Sequence, residues 1–216
     1  MTPAYSPLSD AERPARVAAV ILAAGKSSRM GEPKQLLRLG EMTMLGQTID
    51  NVRRSALREI ILVLGGSAEA IRRHLPPTES LRVVVNPSWQ QGVASSLRAG
   101  LSAVSPETEA ALIVLADQPF VRPETLNRLA GHHRQSRAQI VIPTHRGVRG
   151  NPVLLDRSVF AEVMALEGDV GCRAIFGNHM QGITMLELED EGILLDIDNQ
   201  GDYERLRSFR PGTLTE

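Results

Sequence analysis

The sequence predicts an α/β fold: a single Rossmann-like domain with a mostly parallel sheet and helices on both faces. Three observations predict it. Short apolar runs alternate along the chain with stretches of helical periodicity, the pattern of strands joined by crossover helices. The first five runs are apolar throughout rather than every second residue, as expected of strands covered on both faces. No internal repeat and no long linker divides the chain, and 216 residues that are 42% hydrophobic and 23% charged suffice for one sizeable core.

Residues 1–15 contain Pro3, Pro7 and Pro14 and lack the apolar core of a signal peptide, so they read as a flexible tail ahead of a domain spanning 16–210. The first strand is Val17–Leu22, which stops at the small-residue turn Ala23-Ala24-Gly25. Leu45, Ile49, Val52 and Ala56 recur at helical spacing. Strands follow at Ile60–Leu64 and Leu81–Val85. Val93, Leu97, Leu101 and Val104 mark a second helix. Ala111–Ala116 is the fourth strand. Pro123 sits where a first helical residue would, ahead of Leu126 and Leu129. Gln139–Ile142 is the fifth strand, and two more are expected at Ile183–Leu188 and Leu194–Ile197.

Composition excludes several classes of function. Net charge is −1, so no global basic field argues for nucleic acid. Aromatic residues are 3% of the chain with one tryptophan, Trp89, too few for a base-stacking platform. No apolar stretch approaches the roughly 20 residues that span a bilayer. A single cysteine, Cys172, rules out a disulfide framework and fits a reducing cytoplasm.

The segment after the first strand carries the chemistry. Gly25-Lys26-Ser27-Ser28-Arg29-Met30-Gly31-Glu32-Pro33-Lys34 joins small residues, hydroxyls and cations at a strand end. Such a loop offers backbone N–H groups and positive charge to a polyphosphate. It is not a P-loop, because the glycine required five positions before Gly25 is Val20. It is not the G-x-G-x-x-G fingerprint either, because Ser27 stands at its second glycine.

Two further segments join it. Ala111–Ala116 ends in Asp117-Gln118-Pro119. Ligands of open α/β sheets bind at the carboxyl ends of strands. A carboxylate there, beside a triphosphate, suits Mg²⁺. An aspartate at a strand end also serves as a helix cap. In Asp196-Ile197-Asp198 two carboxylates share one face of an extended segment, which calls for a nearby cation or donors.

These segments resemble nucleotidyltransferases of the molybdenum-cofactor type, whose signature reads L-A-[AG]-G-x-S-x-R-M-G-x-x-K. Ala24, and Pro33 before the lysine, are similar to the cytidylyl branch rather than the guanylyl branch. The resemblance implies that Leu22, Ala23, Ala24, Gly25, Lys26, Ser27, Arg29 and Lys34 wrap base and triphosphate. Lys34, Arg29 and Asp117 would then be catalytic. Asp117 resembles the metal aspartate of G-D-Q-P, with Ala116 for the glycine. Asp198 would be the second metal ligand and Asp196 the alternative, in a segment resembling D-I-D-T-P-E-D-Y. Asn86, Gly92 and Ser95 fall in a segment resembling N-x-x-W-x-x-G-x-x-x-S-L, where turn chemistry and capping compete with nucleotide contact. Arg149, Asn151, Asp169 and Arg173 fall in loops resembling the acceptor side, with Asn151 at a usual histidine.

The implied reaction moves CMP from CTP to the phosphate of a molybdopterin-type acceptor, with Mg²⁺ as cofactor and release of pyrophosphate. The implied partners are CTP, that acceptor and a recipient molybdoenzyme, with neither nucleic acid nor membrane. Alternatives are a guanylyl or other nucleotidyl transfer to a small phosphorylated acceptor, a non-catalytic cofactor-delivery protein, and a dehydrogenase that the missing glycine fingerprint disfavours.

Overall fold

The computed structural model describes residues 16–25, 33–57, 59–75 and 80–209. The tail at 1–15 lies outside them.

Val, Ile, Leu and Ala fill β1 (Val17–Ala23), the central strand. A two-residue antiparallel ribbon, β2 (Arg38–Leu39) with β3 (Met42–Thr43), leads into α1 (Met44–Arg53). Thr43 caps that helix by accepting from the Gly46 N–H at 3.0 Å. The chain continues through β4 (Glu59–Leu64), α2 (Ala68–Arg72), β5 (Leu81–Val85), α3 (Val93–Leu101), β6 (Ala110–Leu115) and α4 (Pro123–Ser136). Then come β7 (Ile140–His145), β8 (Val148–Arg149), β9 (Val153–Asp156), α5 (Phe160–Met164), β10 (Ile183–Glu187) and α6 (Gln200–Leu206).

The main strand order is β10-β7-β9-β6-β1-β4-β5, with β8 paired to β7. Pairing is parallel except at β8 and β9; β9 runs antiparallel between β6 and β7. Alternate residues of β1 face opposite layers. Val17, Ala19 and Ile21 pack with Leu45 and Ile49 of α1 and Leu126 and Leu129 of α4. Ala18 and Val20 pack with Leu97 of α3 and Val163 of α5. Helices therefore cover both faces of one sheet, as the unbroken apolar runs imply. No helix among the described residues is long and apolar enough to cross a membrane.

The expected strands through Leu115 hold within a residue and Pro123 does open α4, while α1 and α3 end three residues before Ala56 and Val104, the last of the apolar positions that mark them. The fifth strand is longer than expected, reaching His145. The edge strand β5 is only half-buried, unlike the inner strands β1, β4 and β6. One expected strand is corrected: Leu194–Ile197 is not part of the sheet. Leu194 closes a 3-10 turn, Glu191–Leu194, which Asp190 caps by accepting from Gly192 N–H at 3.1 Å. The chain then runs across the strand ends, and Ile197 N–H donates to Asp117 O at 2.9 Å. Its alternation is real, with Ile197 fully buried between exposed Asp196 and Asp198, but it packs on Met44, Phe120 and Leu206 instead of joining a ladder.

Strand β6 neighbours β1, while β4 lies on the other side of β1, so the strand order reverses direction at the β1–β6 crevice. Ligands of such sheets bind outside the carboxyl ends at that reversal.

Candidate active site

At that crevice three parts of the chain meet. After β1 the backbone passes Ala24 and Gly25. Residues 26–32 lie outside the described residues, and with them the expected phosphate-loop members Lys26, Ser27 and Arg29. The chain resumes at Pro33 and makes a 3-10 turn, Lys34–Leu36, closed by Leu36 N–H donating to Pro33 O at 2.8 Å. Gln35 is buried, and its amide Nε2 donates to both Ala23 O and Gly25 O at 3.2 Å. That side chain fixes the returning turn to the end of β1. The sequence reading missed Gln35, because nothing in a single glutamine signals such a tie.

Lys34 Nζ lies 2.9 Å from Asp117 Oδ2, 3.0 Å from Asp198 Oδ1 and 3.3 Å from Ile197 O. Asp117 stands at the end of β6, and Asp198 is delivered by the segment crossing the strand ends. The ammonium is one-fifth exposed. Burial alone would lower its pKa, but Asp117 and then Asp198 outweigh that and hold it above the ordinary lysine value. Burial, followed by neighbouring Asp198 and Asp117, pushes the Asp196 carboxyl up. Lys34, Asp117 and Asp198 thus converge as the sequence anticipates, and Asp196 sits beside them.

Asp117 Oδ1 is buried without a hydrogen-bond partner among the described residues. An orphaned carboxylate oxygen, with a second carboxylate across the same gap, fits a hard divalent cation. Among the described residues no group of three or more His, Cys, Asp or Glu side chains could hold a metal. A cation here would therefore draw its other ligands from substrate oxygens and water, which is how Mg²⁺ is usually held.

Beside this cluster lies a cavity of 180 Å³ lined by Ala24, Gly25, Lys34, Gln35, Ser96 and Asp117, with Leu22 and Ala23 at its β1 side. It adjoins a cleft of 430 Å³ bordered by Trp89, Gly92, Val93, Ser96 and Asp169. Two larger hollows, of 640 and 540 Å³, flank the β2–β3 ribbon. They share no residue with the Lys34–Asp117–Asp198 cluster, so the chemistry rather than the size marks the site.

Asn86 and Ser95 spend their hydrogen bonds inside the protein. Asn86 Nδ2 donates to Ser95 Oγ at 2.8 Å and Ser96 Oγ at 3.1 Å, while its Oδ1 accepts from Ser88 N–H at 2.9 Å. Ser95 Oγ donates to Ser88 O or Gly92 O. Together they build the wall that presents Ser96 and Val93 to the cavities. Val93 and Ser96 are three apart on α3, hence on one face, which is the signal that could have found Ser96.

Gly92 has φ +99°, and a Cβ on it would lie 2.3 Å from the Gly168 carbonyl. Only glycine allows this approach. Asp169 thereby reaches the start of α3, where its Oδ1 accepts from Val93 N–H at 3.3 Å and Gly168 O accepts from Ala94 N–H at 3.2 Å. A carboxylate at that end is favoured by the helix dipole. Asn151 N–H donates to Ile193 O at 3.1 Å, tying its loop to the segment that leads to Asp198. Arg149 on β8 and Arg173 are exposed.

Comparison with known proteins identifies the fold family. The model of the MobA-like NTP transferase domain matches residues 19–183. Nicotine blue oxidoreductase of Paenarthrobacter nicotinovorans is 31% identical, over 88% of this chain and 96% of its own. Molybdenum cofactor cytidylyltransferase of Escherichia coli is 27% identical, over 85% and 92%. A crystallised Mycobacterium tuberculosis protein in complex with manganese superimposes with a TM-score of 0.75 at 32% identity, over 88% and 97%. With this match over most of its length, the chain belongs to the family of MobA-like NTP transferase domains.

Proposed function

We propose that this protein transfers CMP from CTP to the terminal phosphate of a molybdopterin-type acceptor, with Mg²⁺ and release of pyrophosphate. The observation that carries the reading is the meeting of Lys34, Asp117 and Asp198 beside the loop after β1. The two carboxylates would hold the cation, which supplies charge stabilisation at the phosphate oxygens. Leu22–Gly25 and Ser96 form the wall along which nucleotide lies. Lys34 neutralises charge at the phosphates, with Arg29 and Lys26 from the preceding loop. The acceptor phosphate is already ionised near pH 7 and attacks the α-phosphorus in line, so positioning and electrostatics supply the catalysis. Ala24 and Pro33 support cytidine, and a cytidylyltransferase among the relatives supports the acceptor.

The exposed arginines Arg149 and Arg173 would hold the acceptor through charge-assisted bonds. Arg149→Ala or Arg173→Ala should raise acceptor KM or lower kcat with CTP binding nearly unchanged. Steady-state kinetics in both substrates check this, and an effect confined to CTP would move these loops to the nucleotide side.

The central test incubates the protein with each NTP, Mg²⁺ and molybdopterin, and measures pyrophosphate. CTP should give it fastest; GTP at an equal rate would overturn the cytidine assignment. A second reading, a redox enzyme on the same scaffold, rests on the relative named as an oxidoreductase. It requires no NTP, so electron transfer to an added dye or pyridine nucleotide, without pyrophosphate release, would favour it.

A further inference from the structure

Lys34 stands where a cation is wanted. Its ammonium takes one oxygen from each of the two carboxylates suited to a divalent ion, and the Ile197 carbonyl as a third acceptor. Ammonium–oxygen contacts here are 2.9 and 3.0 Å. Mg²⁺ instead requires ligand oxygens at about 2.0–2.1 Å in near-octahedral array. Two oxygens spread around a nitrogen cannot close on Mg²⁺ while the nitrogen stays between them, and two cations in one gap repel.

The same side chain borders the 180 Å³ cavity with Ala24 and Gly25, so it has a second place to go. Its backbone need not move. Gln35 pins the turn to Ala23 O and Gly25 O, and the lysine stem is flexible above that fixed base.

We propose that Lys34 is a displaceable stand-in for the divalent cation, holding Asp117 and Asp198 together until metal and nucleotide arrive and then shifting onto the phosphates. The inference rests on the metal assignment made above to Asp117 and Asp198. Its consequence is ordered loading. Bare metal must compete with a tethered ammonium, whereas metal arriving with a triphosphate offers the ammonium a new partner. Metal and nucleotide therefore assist each other's binding.

Two measurements without turnover test it. Mn²⁺ binding in the absence of nucleotide is followed by electron paramagnetic resonance for the wild type, Lys34→Met and Asp117→Asn. Lys34→Met should bind Mn²⁺ at least tenfold more tightly than the wild type, and Asp117→Asn should bind it more weakly than either. Equal or weaker binding by Lys34→Met overturns the proposal. The second measurement uses the wild type alone: amine acetylation of Lys34, read by mass spectrometry, with and without saturating Mg²⁺. Labelling should increase with Mg²⁺ and fall again when CTP is added; labelling unchanged by Mg²⁺ overturns displacement. The two readings separate cleanly. Shifts in these assays with no pyrophosphate from any NTP would sink the transferase reading and leave the displacement standing. Turnover with Mn²⁺ affinity unaltered by Lys34→Met would do the reverse.

Discussion

Asp117 and Asp198 meet the same ammonium from different surroundings, and the difference sets what their loss should do. Asp117 is one-quarter exposed, with one oxygen buried and without a partner among the described residues, whereas Asp198 is 59% exposed. Asp117→Asn keeps the shape and removes the charge a hard cation requires, so NTP turnover should fall by about 10² or more. Asp198→Asn should act in the same sense and Asp196→Asn more mildly. Rate assays at saturating Mg²⁺ rank the three, and a larger loss at Asp196 would make it the second ligand. Circular dichroism should stay unchanged. Cys172 tests a different environment: burial pushes its thiol up to about 11. At pH 8 it should be alkylated roughly 10²-fold more slowly than an ordinary thiol, because little thiolate forms. Quantifying iodoacetamide labelling of native and unfolded protein checks this. At this scale the charged members Lys34, Asp117 and Asp198 stood out in the sequence because they fall in segments that resemble nucleotidyltransferase motifs, and the structure brings the three side chains together. The sequence hid Gln35, whose role comes from burial and a tie to the end of β1 that no local pattern encodes, and it carried Ser96 only through its three-residue spacing from Val93 on α3.

A partly buried polar contact ties helix α4 to the sheet. His133, buried on α4, places Nε2 2.9 Å from Asp156 Oδ2 at the end of β9. Burial would raise the Asp156 carboxyl, yet bonds from Ser158 and His133 prevail and hold it below the usual carboxylate value. A carboxyl lowered in the folded state adds stability above its unfolded value near 3.9, and that stability fades as pH falls through the folded value. Asp156→Asn should therefore melt below the wild type at pH 7, and the gap should close as pH drops below about 4. Melting curves from pH 7 to 3 measure it; a gap that persists at pH 3 would assign the effect to shape rather than charge. Strand β9 itself was not read from the sequence. Val153-Leu154-Leu155 is too short a run after Pro152 to be told from a loop, and its antiparallel place depends on β6 and β7 already being present. Leu194–Ile197 misled for the opposite reason. It has the alternation of a strand, but a capped 3-10 turn before it sends it across the sheet rather than along it.

Across the whole molecule, a ligand that binds only the folded state raises its melting temperature. CTP with Mg²⁺ at a hundredfold excess over Kd should add about 2.7 kcal/mol, and a chain of this size gains about 2–4 °C per kcal/mol. CTP should give the largest shift among the four NTPs, and differential scanning fluorimetry compares them; an equal or larger shift with GTP would favour the guanylyl alternative. The fold as a whole was legible because strands buried on both faces carry the strongest one-dimensional signal a sequence can hold. The sequence placed the site only at the carboxyl ends of the strands; the crevice beside β1 follows from the strand order, which the structure supplies. One feature of that crevice reaches into how the protein comes to life on the ribosome. Asp117 lies 83 positions after Lys34, and Asp198 lies 164 positions after it. At about 5–20 residues per second, roughly 4–16 s of synthesis separate the two carboxylates. During that interval a nascent chain has Lys34 and Asp117 but lacks Asp198, the second carboxylate of the proposed cation site. Under the proposed metal assignment, competence to hold a metal–triphosphate awaits the synthesis of residue 198, and a fragment ending before that residue should release no pyrophosphate.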